Sequence, residues 1–450
     1  MTVNVYTGSP TNANDVVSYL DEQLLLRTQK NLVAYQFGDQ IDMPAGRGMV
    51  YTAFRWNRVP LPYAPVVEGV PPVGERMTST SVTGVLTQWA DSITLTDIME
   101  LGLFHPPFQQ AINLTALQAA ETLERNTFNV LISGTQVQIA NNKANRAALL
   151  NTDVLTRHEI NKVTSILGSI GAYKFDGSTD EDFKEDVDTA QQDASDSPSI
   201  MPHYCAIISH AVQADLRSDT TLVAAWQYSD VNRLYNYEIG ELDGVRFCAS
   251  NMIPTWTGVA AVGTAVAGTA GNLATGTYYV QITGQDAQNQ YESLIYQVDG
   301  GTAVTGPNGS IAVTLPNTPD FTYSAFIGTT TSPGTLALSS SGPNVGTMQG
   351  QAVQLVGGST VILTGAGIAQ SPSAAPATGV TVHPTFIFGR GAYAQIRLRD
   401  VESTYLDKAE KVDPHNQTRV VGWKVLFATI IKQQEFMARI ESGTTYPITF

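Results

Sequence analysis

Charge is what this sequence has least of. Asp, Glu, Lys and Arg make up 14% of its 450 residues, against about 25% in ordinary soluble domains. A surface so poor in charge must be covered by neutral polar groups or buried against other chains. The net charge of −15 excludes tight binding of free nucleic acid through a basic face. Positive charge is missing from whole regions. No lysine lies between Lys30 and Lys143, and neither Lys nor Arg between Arg246 and Arg390. The two cysteines, Cys205 and Cys248, are too few for a disulfide framework and sit in apolar, strand-like runs. Buried free thiols are therefore expected, as in a reducing compartment. No apolar run approaches the roughly eighteen residues of a membrane span. Met1–Pro10 lacks a basic stretch followed by an apolar one, so no signal peptide is expected.

Catalytic signatures are missing too. There is no G-x-x-x-x-G-K-[ST], no G-x-G-x-x-G after a strand and no G-x-S-x-G. His158-Glu159 begins a zinc-protease motif that fails at Lys162, where the second histidine should stand. The six histidines are scattered, and His383-Pro384 and Pro414-His415 read as turns. No catalytic residue, metal ligand or cofactor site is expected, although a pair of carboxylates would leave little trace in a sequence.

What is present is strongly patterned. From Pro106 to Gly134, Phe108, Ile112, Ala116, Leu117, Ala120, Leu123, Thr127 and Leu131 recur at helical spacing, with Glu121, Glu124 and Arg125 off that stripe. This predicts one unusually long helix. Residues 1–45 read as an arm with one short helix. In 46–92, two β-prone runs (Met49–Trp56 and Thr78–Trp89) flank a tip containing Pro60, Pro62, Pro65, Pro71 and Pro72. Asp153–Ile170 predicts a second amphipathic helix capped by Thr152 or Asp153. Residues 176–196 carry nine acids against Lys184 alone and read as a solvated loop. Tyr204–Ile208, a helix at Ala211–Arg217 and Gly244–Cys248 predict an α/β unit. The Gly-, Thr- and Ser-rich span 255–380 predicts an inserted all-β sandwich. A helix is expected at Gly391–Arg397, and strands over 400–450.

In this order the residues resemble the major capsid proteins of tailed phages, in the family named after the capsid protein of phage N4. The resemblance rests on Asn31–Gly38 (NLVAYQFG), Glu68–Gly74 (EGVPPVG), Gln88–Asp97 (QWADSITLTD), Ala119–Leu123 (AAETL), Leu216–Asp219, Glu238–Phe247 (EIGELDGVRF) and Asp413–Leu426 (DPHNQTRVVGWKVL). It implies an α+β fold of the HK97-like capsid type. Residues 1–45 would be an N-arm, 46–92 an extended loop, and 93–135 with 400–450 a peripheral domain around a spine helix. Residues 136–254 with 381–399 would be an axial domain, and 255–380 an inserted immunoglobulin-like sandwich.

The implied function is self-assembly, not catalysis. Hexamers and pentamers of this chain would close an icosahedral head in the host cytoplasm. Its partners would be a scaffolding protein, a portal, a cement or decoration protein, and packaged double-stranded DNA held weakly; no membrane is implied. Candidate inter-subunit residues are Arg47, Arg55, Trp56, Arg58, Glu68, Glu75 and Arg76. The absence of lysine from the loop removes the covalent crosslink found in some HK97-type shells. Two other readings fit parts of the chain: a β-rich adhesin on an unrelated α/β body, and a carboxylate-based hydrolase.

Overall fold

The computed structural model describes residues 32–61, 65, 74–102, 107–175, 202–218, 237–261, 265–286, 291–318, 321–332, 337–339, 355–356, 360–363, 367–368, 373–406 and 418–446. The predicted arm helix, most of the proline-rich loop tip and the acidic run lie outside them. The chain divides into two compact units. One comprises residues 1–29, 89–119 and 401–425, and the other 30–88, 120–400 and 426–450.

In the smaller unit, Leu95, Ala111 and Val421 form a small core with Ile93, Phe108 and Ile112 against it. Thr96 caps the short helix Asp97–Gly102, its Oγ1 accepting from the Met99 N–H at 3.4 Å. Trp423 donates to Gln118, which donates to Asp91.

The larger unit is organised on strand Thr381–Phe388. Met437–Ser442 pairs antiparallel along one side of it. On the other side its second half pairs with Tyr204–Ser209 and its first two residues with Trp256–Val259. His383 and Pro384 therefore lie inside a buried strand, which corrects the expected turn. Proline is accommodated because on this side Pro384 falls in the gap between the two partner strands, where no donor is needed. Val245–Ser250 lies parallel to Tyr204–Ser209, and Glu238–Leu242 closes that side. Helix Arg157–Ile170 packs Ile160, Val163 and Leu167 on this sheet and stops at Gly171, whose φ is +75°. Its N-cap is Thr156, not Thr152 or Asp153. Asp153 instead accepts from the Leu150 N–H and Asn141 Nδ2, each at 2.8 Å. Both cysteines are buried and neither forms a disulfide.

The long helix runs Pro107–Ile132, 26 residues or about 39 Å. In its second half the buried face includes Leu123, Thr127 and Leu131 as expected, and also Glu124 and Phe128. In its first half the buried residues are Ala111, Thr115 and Ala119, one position before those expected, and Ala116 is exposed.

The expected helix at Gly391–Arg397 is a strand, Tyr393–Leu406. Ala394 and Ile396 join one apolar cluster, with Leu398 packed against it, while Tyr393 and Gln395 bond to Ala34 and Thr127. That is a period of two, not 3.6. The strand runs parallel to Asp39–Asp42.

Residues 256–368 contain a two-sheet sandwich. Ala265–Leu273, Gly309–Thr314 and Thr360–Leu363 form one sheet. The other contains Gly276–Asp286 between Glu292–Tyr296 and Phe321–Gly328. Val280, Ile282, Ile311, Val313, Tyr323, Phe326 and Leu363 fill the space between. The second sheet is not separate from the rest of the unit. Glu292–Tyr296 pairs with Trp256–Val259, so hydrogen bonding runs continuously into Thr381–Phe388.

Candidate functional site

Most of the candidate residues lie on or beside one hairpin. Val50–Trp56 and Ser79–Val85 pair antiparallel over seven residues, Val50 opposite Val85 and Trp56 opposite Ser79. Alternation then sorts the side chains onto two faces.

The inner face carries Tyr51, Ala53, Arg55, Val82 and Gly84. Tyr51 and Val82 pack on the cluster of Leu86, Ala394, Ile396, Ala428 and Ile430. Gly84 is buried so closely against Ile430 that a Cβ would collide with that side chain. Arg55 donates to Gln433 at 3.2 Å and lies 3.8 Å from Glu435. These contacts hold the hairpin to the rest of its own chain.

The outer face carries Val50, Thr52, Phe54, Trp56, Ser79, Ser81, Thr83 and Val85. Phe54 is 68% exposed, Trp56 61%, Val85 64% and Val50 55%. Phe54 and Trp56 meet edge to face at 6.4 Å. Met49, Val59, Leu61 and Met77 are also exposed. The sheet has only two strands among the described residues, and its outer face exposes Val50, Phe54, Trp56 and Val85 among threonines and serines. Large apolar side chains gathered on an exposed face point to an interaction surface.

Of the residues named from sequence, Arg47, Arg58, Glu75 and Arg76 are exposed beside the hairpin, and Trp56 is on its open face. Arg55 is on the inner face, bonded within the chain. Glu68 lies outside the described residues. Phe54, Val50 and Val85 were not among the candidates. Their signal was the strict alternation of Val50, Thr52, Phe54 and Trp56.

A second feature supports the hairpin's base. Glu124, wholly buried on the long helix, accepts the backbone N–H groups of Val33 and Ala34 on Oε1 at 2.7 and 2.6 Å and of Tyr35 on Oε2 at 2.9 Å. Tyr393 donates to the Ala34 carbonyl at 2.5 Å. Burial pushes the Glu124 carboxyl above its usual range, against the three N–H donors. The strand Asp39–Asp42 begins directly after this anchored segment.

The arrangement most like a catalytic one is Ser209 Oγ with His383 Nδ1, 3.0 Å apart. Both are buried, and burial lowers the His383 pKa to about 4. The nearby Asp215 carboxylate is taken up by Thr444 and Thr445. This is a polar contact inside the core. Among the described residues no three His, Cys, Asp or Glu side chains converge as a metal site, and no helix is long and apolar enough to cross a membrane.

No family model matches the sequence, and no curated protein is similar to it. Solved structures are. The capsid of Ralstonia phage GP4 matches at 8% identity with a TM-score of 0.51, covering 100% of both chains. The cyanophage Pam1 capsid asymmetric unit matches at 8% identity with a TM-score of 0.52, covering 97% of this chain and 98% of that one. At such identities the likeness concerns the fold: this chain has the fold of phage capsid proteins over its whole length.

Proposed function

We propose that this protein is the major capsid protein of a tailed phage, built on the HK97-like plan, and that its copies assemble as hexamers and pentamers into an icosahedral head around double-stranded DNA. The observation that carries this reading is the hairpin with one face docked on its own subunit and an apolar face left open, in a chain with a capsid-protein fold throughout. Such a face needs a partner, and in a closed shell every copy both offers and receives it. Each contact is small, and repetition over the lattice makes the shell stable. The low charge of the chain follows from the same requirement, because much of its surface is covered by neighbours.

In this reading Trp56, Phe54, Val50 and Val85 bury against the adjacent subunit. Arg47, Arg58, Glu75, Arg76 and Glu68 form a charged rim that sets register, and Arg55 orients the hairpin from below. In the same reading the N-arm, extended loop, peripheral and axial domains are those implied by the resemblance, and the sandwich of 255–380 is an immunoglobulin-like module on the outer surface of the virion. A scaffolding protein directs closure and a portal occupies one vertex. Without a loop lysine, stability comes from noncovalent contacts or a cement protein. Packaged DNA meets the inner face through weak, counterion-mediated contact. The resemblance of the residues quoted earlier supports an assignment to the N4 capsid family.

The test is sedimentation and negative-stain microscopy of the protein expressed in bacteria, with and without its phage's scaffolding protein. Closed shells, or pentamers and hexamers, are expected. A clean monomer with the scaffold present overturns the assembly reading and moves the adhesin reading to first place.

A further inference from the structure

The chain leaves the body of the larger unit at Trp256 and returns through 373–380, and one side chain touches both places. Arg146, in the short turn Arg146–Ala148, lies with its guanidinium 4.0 Å from the centroid of the Trp256 ring. Its Nη1 donates to the Ala374 carbonyl at 3.1 Å. Its Nε and Nη2 grip Glu441 in a fork at 2.8 and 2.7 Å. Glu441 is buried on strand Met437–Ser442 and also meets Arg439 at 3.1 Å. Arg439 lies 5.8 Å from the same Trp256 ring and donates to the Ile132 carbonyl at the end of the long helix. Burial pushes Glu441 up, but the bonds and charge of Arg146, with Arg439, hold it below the usual carboxylate range.

Further backbone and side-chain contacts tie the same two segments together. The Gly258 N–H donates to the Val380 carbonyl and the Gly379 N–H to the Gly258 carbonyl, each at 2.9 Å. Gly258 is so close to the Ala377 carbonyl that no Cβ fits between them. Gln281 donates to the Ser373 carbonyl at 3.0 Å, and Ser373 to Glu292 at 2.7 Å. A module hung on a linker would show none of this.

We propose that Arg146 is the positioning residue of the sandwich. It clamps the outgoing and returning segments to Glu441, so that the sandwich is a rigid extension of the body sheet with one fixed orientation, not a tethered module. A partner reading the sandwich would then meet it at a set angle and spacing on every copy. The inference does not depend on the shell reading, because it concerns one chain.

The experiment is hydrogen–deuterium exchange on the full-length protein and on Arg146→Gln and Arg146→Lys. In Arg146→Gln, exchange in 256–260 and 373–380 is expected to rise about tenfold or more, with Tyr204–Ser209 unchanged. Arg146→Lys, which keeps the charge beside Glu441 but not the fork, should fall between, and carries the test alone if Arg146→Gln does not fold. Unchanged exchange in both segments overturns the proposal. So does a rise of equal size in Tyr204–Ser209, which would make Arg146 a contributor to overall stability only.

Discussion

At the residue scale two buried titratable groups shape the pH response in opposite directions. Glu124 has no cation among its contacts; it is held by three backbone donors. Removing it as Glu124→Ala leaves those donors unpaired in the core and should cost about 3 kcal/mol in urea unfolding. Burial raises its pKa above the ordinary 4.5, so the folded state holds this proton more tightly than the unfolded one. The associated stability is full below 4.5 and is lost as pH rises through the folded pKa. Glu124→Gln removes that slope, so wild-type stability relative to this variant should fall as pH rises above 4.5. A wild-type advantage that instead grows as pH rises would show that the donors, not burial, set the proton affinity, and a constant difference would show that the two cancel. His383 runs the other way. Its pKa drops from 6.5 to about 4, so its contribution is present above 6.5 and is lost as pH falls toward 4. That shift is worth about 3 kcal/mol, and His383→Gln should remove that part of the acid sensitivity. Glu124 read as a solvated residue in the sequence because a carboxylate on a helix is usually exposed. Nothing local in the chain announces that a segment ninety residues away will supply its donors.

At the scale of elements, what was legible followed periodicity. The hairpin could be seen because two β-prone runs flank a cluster of prolines in 46–92. The strand Tyr204–Ser209 could be seen because every position is apolar or small. Tyr393–Leu406 was misread, since its polar positions Gln395, Arg397 and Arg399 alternate with Ala394, Ile396 and Leu398 over too short a run after Gly391 to outweigh a helical reading. The same alternation makes the hairpin's two faces separately testable. Phe54→Ser with Trp56→Ser alters only the exposed face and should change monomer stability by no more than about 0.5 kcal/mol, while abolishing or greatly slowing assembly measured by light scattering. Gly84→Val alters the docked face, where Ile430 leaves no room, and should cost about 1–3 kcal/mol. If the double serine variant assembles normally, the open face is not the contact and the charged residues beside it become the better candidates.

At the scale of the whole molecule the remaining question is what the sandwich contributes to assembly. Its composition made it legible as a run of short strands, but composition could not show that its sheet continues into the body through Trp256–Val259. That continuity decides where it can be cut. Removing all of 255–380 takes away Trp256, Ile295, Ala375 and Val380, which fill one core with Ala140, Leu149 and Val382, so that deletion should fail to fold. Replacing only 262–371 with a short Gly-Ser linker keeps Trp256–Val259, the Gly258 contacts to Gly379 and Val380, and the Arg146 bond to Ala374. It still loses Ile295 and, from the main core, Tyr291, so a drop of about 5 kcal/mol is expected, with the far-ultraviolet spectrum of a folded chain retained. If the sandwich projects from the shell, this trimmed protein should assemble with the scaffold into heads of unchanged diameter that lack surface density. A trimmed protein that folds but does not assemble would place the sandwich between subunits instead. The open hairpin face would then be one of two contacts on which the shell depends.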